Sequence, residues 1–313
     1  MSLNSTKNCL TIFPQVTYIN LAIYTISLFC TLSTIFYMSR LLYASKFKKA
    51  ILVSEISDAM QIYLAVNALC GATSLPYLFY KVIFWRLPSI RGNNPMYSNV
   101  LFHFISGIFY SLHYAISSIL VFILCLDRYL LINTSNMHWQ DNKRINFLMS
   151  EIIVLIIVYI GVCASYTFEF PLNYNKVVNC ETLSCMQLNL KNYPILVIKT
   201  CFGVGNVICC ILFIKQLYKL DKETIKKLDN RIIKITVIIE ILLNVIPGET
   251  NLIYKAFTGI PLATYTGESS YLTFSLELAI CSSFYWKKFK AQPKTKTQVT
   301  ILTKQKEVLN YKK

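Results

Sequence analysis

The stretch Phe109–Ile132, FYSLHYAISSILVFILCLDRYLLI, decides the reading of this chain. It is long and apolar, and near its end it carries Asp127-Arg128-Tyr129. A charged pair at the edge of a membrane-length helix is costly unless it lies among headgroups or faces a protein interior. The triplet therefore reads as the cytoplasmic end of a membrane helix, the third in the chain, with the other apolar segments bundled around it.

Composition agrees. Charged residues make up 15% of the 313-residue chain, where a soluble globular protein carries about 25%. The chain has 31 Lys+Arg against 15 Asp+Glu. Such an excess suits nucleic acid or cytoplasmic loops that fix membrane topology, and the positions of the lysines decide between the two. Most of the 11 cysteines lie inside apolar runs, where cysteine acts as a small hydrophobe. Cys9, Cys180 and Cys185 lie in polar stretches and are the candidate bridge formers. No Cys/His spacing matches a metal site, and no cofactor motif is present.

A membrane helix needs roughly 20 mostly apolar residues. Seven stretches qualify: Tyr18–Tyr43, Ile51–Tyr80, Asn99–Ile132, Phe147–Phe168, Pro194–Tyr218, Ile232–Phe257 and Ser270–Trp286. The first has no cleavage pattern after it and reads as retained. The second begins poorly, because Glu55 and Asp58 sit in its opening turns. Either it starts later or these carboxylates face the bundle. Lys199 lies in the first turns of the fifth, where it could snorkel outward. Pro247 interrupts the sixth.

With the N-terminus outside, 23 of the 31 basic residues fall in inner loops and the tail. This asymmetry sets the orientation, spreads the charge over four segments on one face, and removes the case for nucleic acid. It also predicts attraction of anionic lipid to the inner face. The expected fold is an all-α membrane protein, a seven-transmembrane helix bundle with residues 1–17 outside, 18–286 forming the bundle and 287–313 a basic cytoplasmic tail. Asn4-Ser5-Thr6 is then a glycosylation acceptor on the outer side.

His103, Gly107, Tyr110, Tyr114 and Ser117 recur at intervals of three and four, so they share one helix face. Packing explains any one of them. Together they are more polar than a lipid-facing stripe, which predicts an inward face beside a ligand pocket, with His113 next to it. Glu240 and Glu277 are intramembrane carboxylates, functional hypotheses by default. Nothing in the polar segments assembles a catalytic constellation, so no enzymatic activity is expected.

Seven helices, an outer N-terminus and Asp-Arg-Tyr at the inner end of the third helix resemble a G-protein-coupled receptor. The FYSLHY opening, the short loops and the Lys-rich inner face resemble the nematode chemosensory serpentine receptors, the class gamma branch most. The resemblance covers the whole chain in architecture and only Phe109–Ile132 in motif. It implies a switch at Asp127, Arg128 and Tyr129, in which Asp127 holds Arg128 at rest and its release opens the inner face to a heterotrimeric G protein. It implies a small extracellular ligand bound near His103, Tyr110, His113, Tyr114, Ser117 and Glu277, and residence in the plasma membrane of sensory-neuron cilia.

The chain also departs from rhodopsin-like receptors. Ser98–Gly107 offers no cysteine for a bridge to the third helix, so Cys180 either pairs with Cys9, pairs with Cys185 within its loop, or remains free. The seventh segment, LELAICSSFYWKKF, has no Asn-Pro-x-x-Tyr. The competing reading is a seven-span transporter or ion-channel subunit. The lack of visible internal repeats weighs against a transporter of duplicated halves.

Overall fold

The computed structural model describes residues 14–47, 56–86, 99–133, 140–172, 183–186, 193–219, 228–259 and 262–290. Among them every regular element is helical. Four long helices come first: α1 (Pro14–Phe47), α2 (Asp58–Ile83), α3 (Val100–Asn133) and α4 (Gln140–Thr167). α5 (Tyr193–Lys219) follows a single turn, Leu183–Met186. α6 runs as Leu228–Glu240, a π-helical turn Ile241–Val245, and Ile246–Thr258. After the turn Ala263–Thr266, α7 spans Ser269–Lys290.

The windows Val16–Ser45, Asp58–Ile83, Val100–Leu130, Asn146–Thr167 and Tyr193–Gln216 are long and apolar enough to cross a membrane, which marks a membrane protein. α6 is interrupted and α7 is rich in serine and lysine, so neither meets the same standard of length and apolarity. Asn4, Cys9 and Cys180 lie outside the described residues, as does the Cys185 side chain.

The doubtful start of the second segment resolves at Ser57. Its side chain accepts a hydrogen bond from the Met60 N–H at 3.3 Å and caps α2. Asp58 then occupies the first turn, where a carboxylate complements the helix dipole. The π turn in α6 has an equally local cause. Pro247 lacks an N–H, and inside an α-helix its ring would strike the carbonyl of Leu243. The widened turn just before it absorbs that conflict, with the Ile246 N–H donating to the Ile241 carbonyl.

α3 is the centre of the bundle, packing chiefly against α2 and α5, while α1 packs on α2 and α7. Of the apolar window of α3, 89% is buried, against 17% for α4, which lies at the edge. Helices in lipid associate by close packing rather than by escape from water. Small residues at the contacts fit that rule. A Cβ on Gly107 would stand 3.1 Å from the Tyr77 ring, and one on Gly205 would stand 3.1 Å from the Phe122 ring. The helix ends define two faces. α3 ends and α6 begins at one, which holds Arg128. α5 and α7 begin at the other, where a cavity opens.

Candidate functional site

The cavity encloses about 190 Å³ between α3, α5, α6 and the start of α7. Tyr114 and Ser118 of α3, Lys199 of α5, Asn244 and Glu249 of α6, and Tyr271 of α7 contribute to its lining. Its floor is a polar network in the middle of the bundle. The Lys199 ammonium donates to Asn244 Oδ1. The Asn244 amide donates to Glu240 Oε1 at 3.0 Å and Oε2 at 3.1 Å, and reaches Glu277 Oε2 at 3.4 Å. Ser118 adds a hydroxyl to Glu240 Oε1 at 3.1 Å. Glu240 and Glu277 lie close enough to interact electrostatically. All five side chains are buried.

Sequence and local structure explain why these groups meet. Glu240 precedes the widened turn of α6 and Asn244 lies within it, where four residues make close to one full turn, so their side chains lie on one side of the helix. Glu277 faces them from α7 and Lys199 from α5. Beyond the turn, the Ile246–Thr258 segment buries no residue, whereas Ile232, Ile233 and Val237 before it are buried. The second half of α6 thus covers the cavity without being packed into the core.

An aromatic layer surrounds the cavity wall. The Lys199 ammonium lies 3.1 Å from the centre of the Tyr114 ring, a cation–π contact. Tyr271 lies 4.8 Å from Tyr114 and 4.9 Å from Tyr110 between ring centres. Its hydroxyl shares a hydrogen bond with Ser111 at 3.2 Å.

Of the residues the sequence put in a pocket, Tyr114 lines the cavity, Tyr110 backs it through Tyr271, and Glu277 lies behind the lining residue Asn244. The other three are elsewhere. His113 meets Ser74 Oγ of α2 at 3.3 Å and the Phe274 ring, at the α2–α7 side of α3. His103 stacks on Tyr77 of α2 at 5.7 Å. Ser117 is buried off the cavity. Lys199 does not snorkel: it is 8% exposed and held by Asn244 and Tyr114. Lys81, in the last turn of α2, is wholly buried between the rings of Tyr24 and Tyr77. The signal for Lys199 was in the sequence, because a lysine inside an apolar segment marks a functional position as surely as Glu240 or Glu277 does.

At the opposite face, Asp127 Oδ2 lies 3.5 Å from Arg128 Nε, with the residues 2% and 9% exposed. Glu151 of α4 is buried within the electrostatic reach of Asp127. Tyr129 is half-buried beside them. Compared with known protein families and with curated proteins, the chain matches none.

Proposed function

We propose that this protein is a seven-span chemosensory G-protein-coupled receptor with its N-terminus outside. It binds a small extracellular ligand in the cavity and activates a heterotrimeric G protein at the Arg128 face. The observation that carries the reading is the buried Asp127–Arg128 pair at the end of α3 remote from the cavity. Two such sites on one helix are what a transmitted signal requires. From Tyr114 to Arg128 is 14 residues, about 21 Å along α3. The predominance of basic residues on the Arg128 face supports its assignment to the cytoplasm and its contact with anionic lipid. α6 supplies the moving part: its inner half is packed, its outer half is not, and a π turn joins them. The resemblance of Phe109–Ile132 to nematode chemosensory receptors supports residence in the plasma membrane of sensory cilia.

In this mechanism Asp127 restrains Arg128 at rest. A ligand alters the contacts of α6 with α3, α5 and α7 at the cavity floor, and the inner end of α6 swings away. The guanidinium, with five donors and a permanent charge, then becomes free for the G protein. The deciding experiment uses the purified chain in lipid nanodiscs with a panel of G proteins. Ligand-stimulated nucleotide exchange supports the proposal. Solute flux or current in proteoliposomes without any G protein would replace it with a transporter or channel.

A further inference from the structure

We infer that the cavity selects a small, neutral carbonyl compound, an ester or ketone, whose oxygen accepts a hydrogen bond from the Lys199 ammonium. The inference deepens the receptor reading, since it takes the cavity as the ligand site.

Among the charged residues lining the cavity, only Lys199 is buried. No carboxylate oxygen of the described residues lies within ion-pair distance of it. An ammonium has three donors. One goes to Asn244 and the Tyr114 ring takes the charge on its face, which leaves a donor for the cavity. A buried donor without an acceptor is destabilising, and a ligand oxygen supplies one.

The charges around Lys199 decide what kind of oxygen. Asn244 stands between it and Glu240 with Glu277, and Glu249 adds its field from the cavity wall. One buried cation thus faces three carboxyl groups, while Lys255 and Glu268 line the rim. A ligand carboxylate would add a further negative charge to this excess, in a medium where charge is weakly screened. A ligand amine would place a second cation beside Lys199. A neutral acceptor does neither. Tyr271, Ile195, Leu196 and Leu252 offer rings and apolar surface to the rest of such a molecule.

The test uses three probes with one skeleton: methyl phenylacetate, phenylacetate and phenethylamine. Each is titrated against the full chain in nanodiscs by thermal unfolding, without any G protein. The ester is expected to raise the melting temperature and to bind more tightly than the other two. Lys199→Met is expected to weaken the ester by ~10-fold or more, the worth of a hydrogen bond to a charged donor. Lys287→Met, exposed near the far end of α7, leaves it unchanged. If Lys199→Met unfolds too readily to measure, Lys199→Arg keeps the cation, displaces the donor and serves the same purpose. Tighter binding of the acid or the amine, an ester affinity indifferent to both Lys199 substitutions, or no binding of the ester at all would overturn the inference. Lys199-dependent binding without nucleotide exchange on any G protein would leave it standing and remove the receptor reading instead.

Discussion

At one end of α3, Tyr114 and Ser118 meet side chains from α5, α6 and α7. At the other, Asp127 meets the residue next to it in the chain. The first arrangement exists only while four helices hold their relative positions, so any shift of α6 is felt there. The second is a local pair, formed where neighbouring residues on a helix do not ordinarily face each other. Both partners ride on α3, and release of Arg128 requires a change in what surrounds them. The cavity end is therefore suited to sensing geometry, and the Arg128 end to holding a charge in reserve.

The sharpest way to break this contrast is at Arg128. Arg128→Ala is expected to abolish G-protein activation while surface delivery and ligand binding persist. Nucleotide exchange measured beside cell-surface labelling checks it, and a variant that signals at full efficacy would reduce the triplet to a topology marker. Asp127→Asn weakens the restraint and is expected to raise basal exchange several-fold above wild type; an unchanged basal rate would show that Asp127 restrains nothing.

At the cavity end the expected effect is on stability. Glu240→Leu removes the acceptor of the Ser118 hydroxyl and of the Asn244 amide. Interhelical hydrogen bonds in membranes average about 0.6 kcal/mol and stranded polar groups add to the loss, so about 1–3 kcal/mol is expected. Unfolding in mixed micelles measures it, and Glu240→Gln, which retains a carbonyl acceptor, should recover much of the loss.

Gly267→Ala probes the rim. Gly267 has φ 66°, and the Asn20 side-chain oxygen lies where a Cβ would go. That oxygen also accepts the Glu268 N–H at 3.0 Å, tying α1 to the loop before α7. A loss of about 1–2 kcal/mol is expected from the left-handed backbone alone, again read by unfolding. The smallest effect belongs to α4. Ile157 is exposed on the edge helix, and Ile157→Ala is expected to change stability by at most ~0.5 kcal/mol. A larger loss would place a further surface against α4.

The long helices were legible because a run of apolar residues of membrane length has few other uses. The stripe on α3 was legible as a buried face because its spacing is that of a helix. Its partition was not. Nothing local to His103, His113 or Ser117 says that α2 and the bundle core, not the cavity, receive them. Lys199 was misread because snorkelling depends on what neighbours the helix. Its partners Asn244 and Tyr114 come from other helices, 45 and 85 positions away in the sequence. Pro247 announced an irregularity in α6 but not that the helix would widen into a π turn.

That widening makes α6 intolerant of a change in its residue count. A π turn is a helix carrying one residue more than its pitch requires. Deleting Leu243 would force the turn back to α-helical pitch, in which the proline ring strikes the carbonyl four residues before it. The segment carrying Glu249 and Lys255 would have to bend away from that clash, although neither residue had been altered. The spacing from Glu240 to Pro247 is thus a register mark, and a sequence that keeps every side chain of this site but loses one position between them would carry the residues without the site.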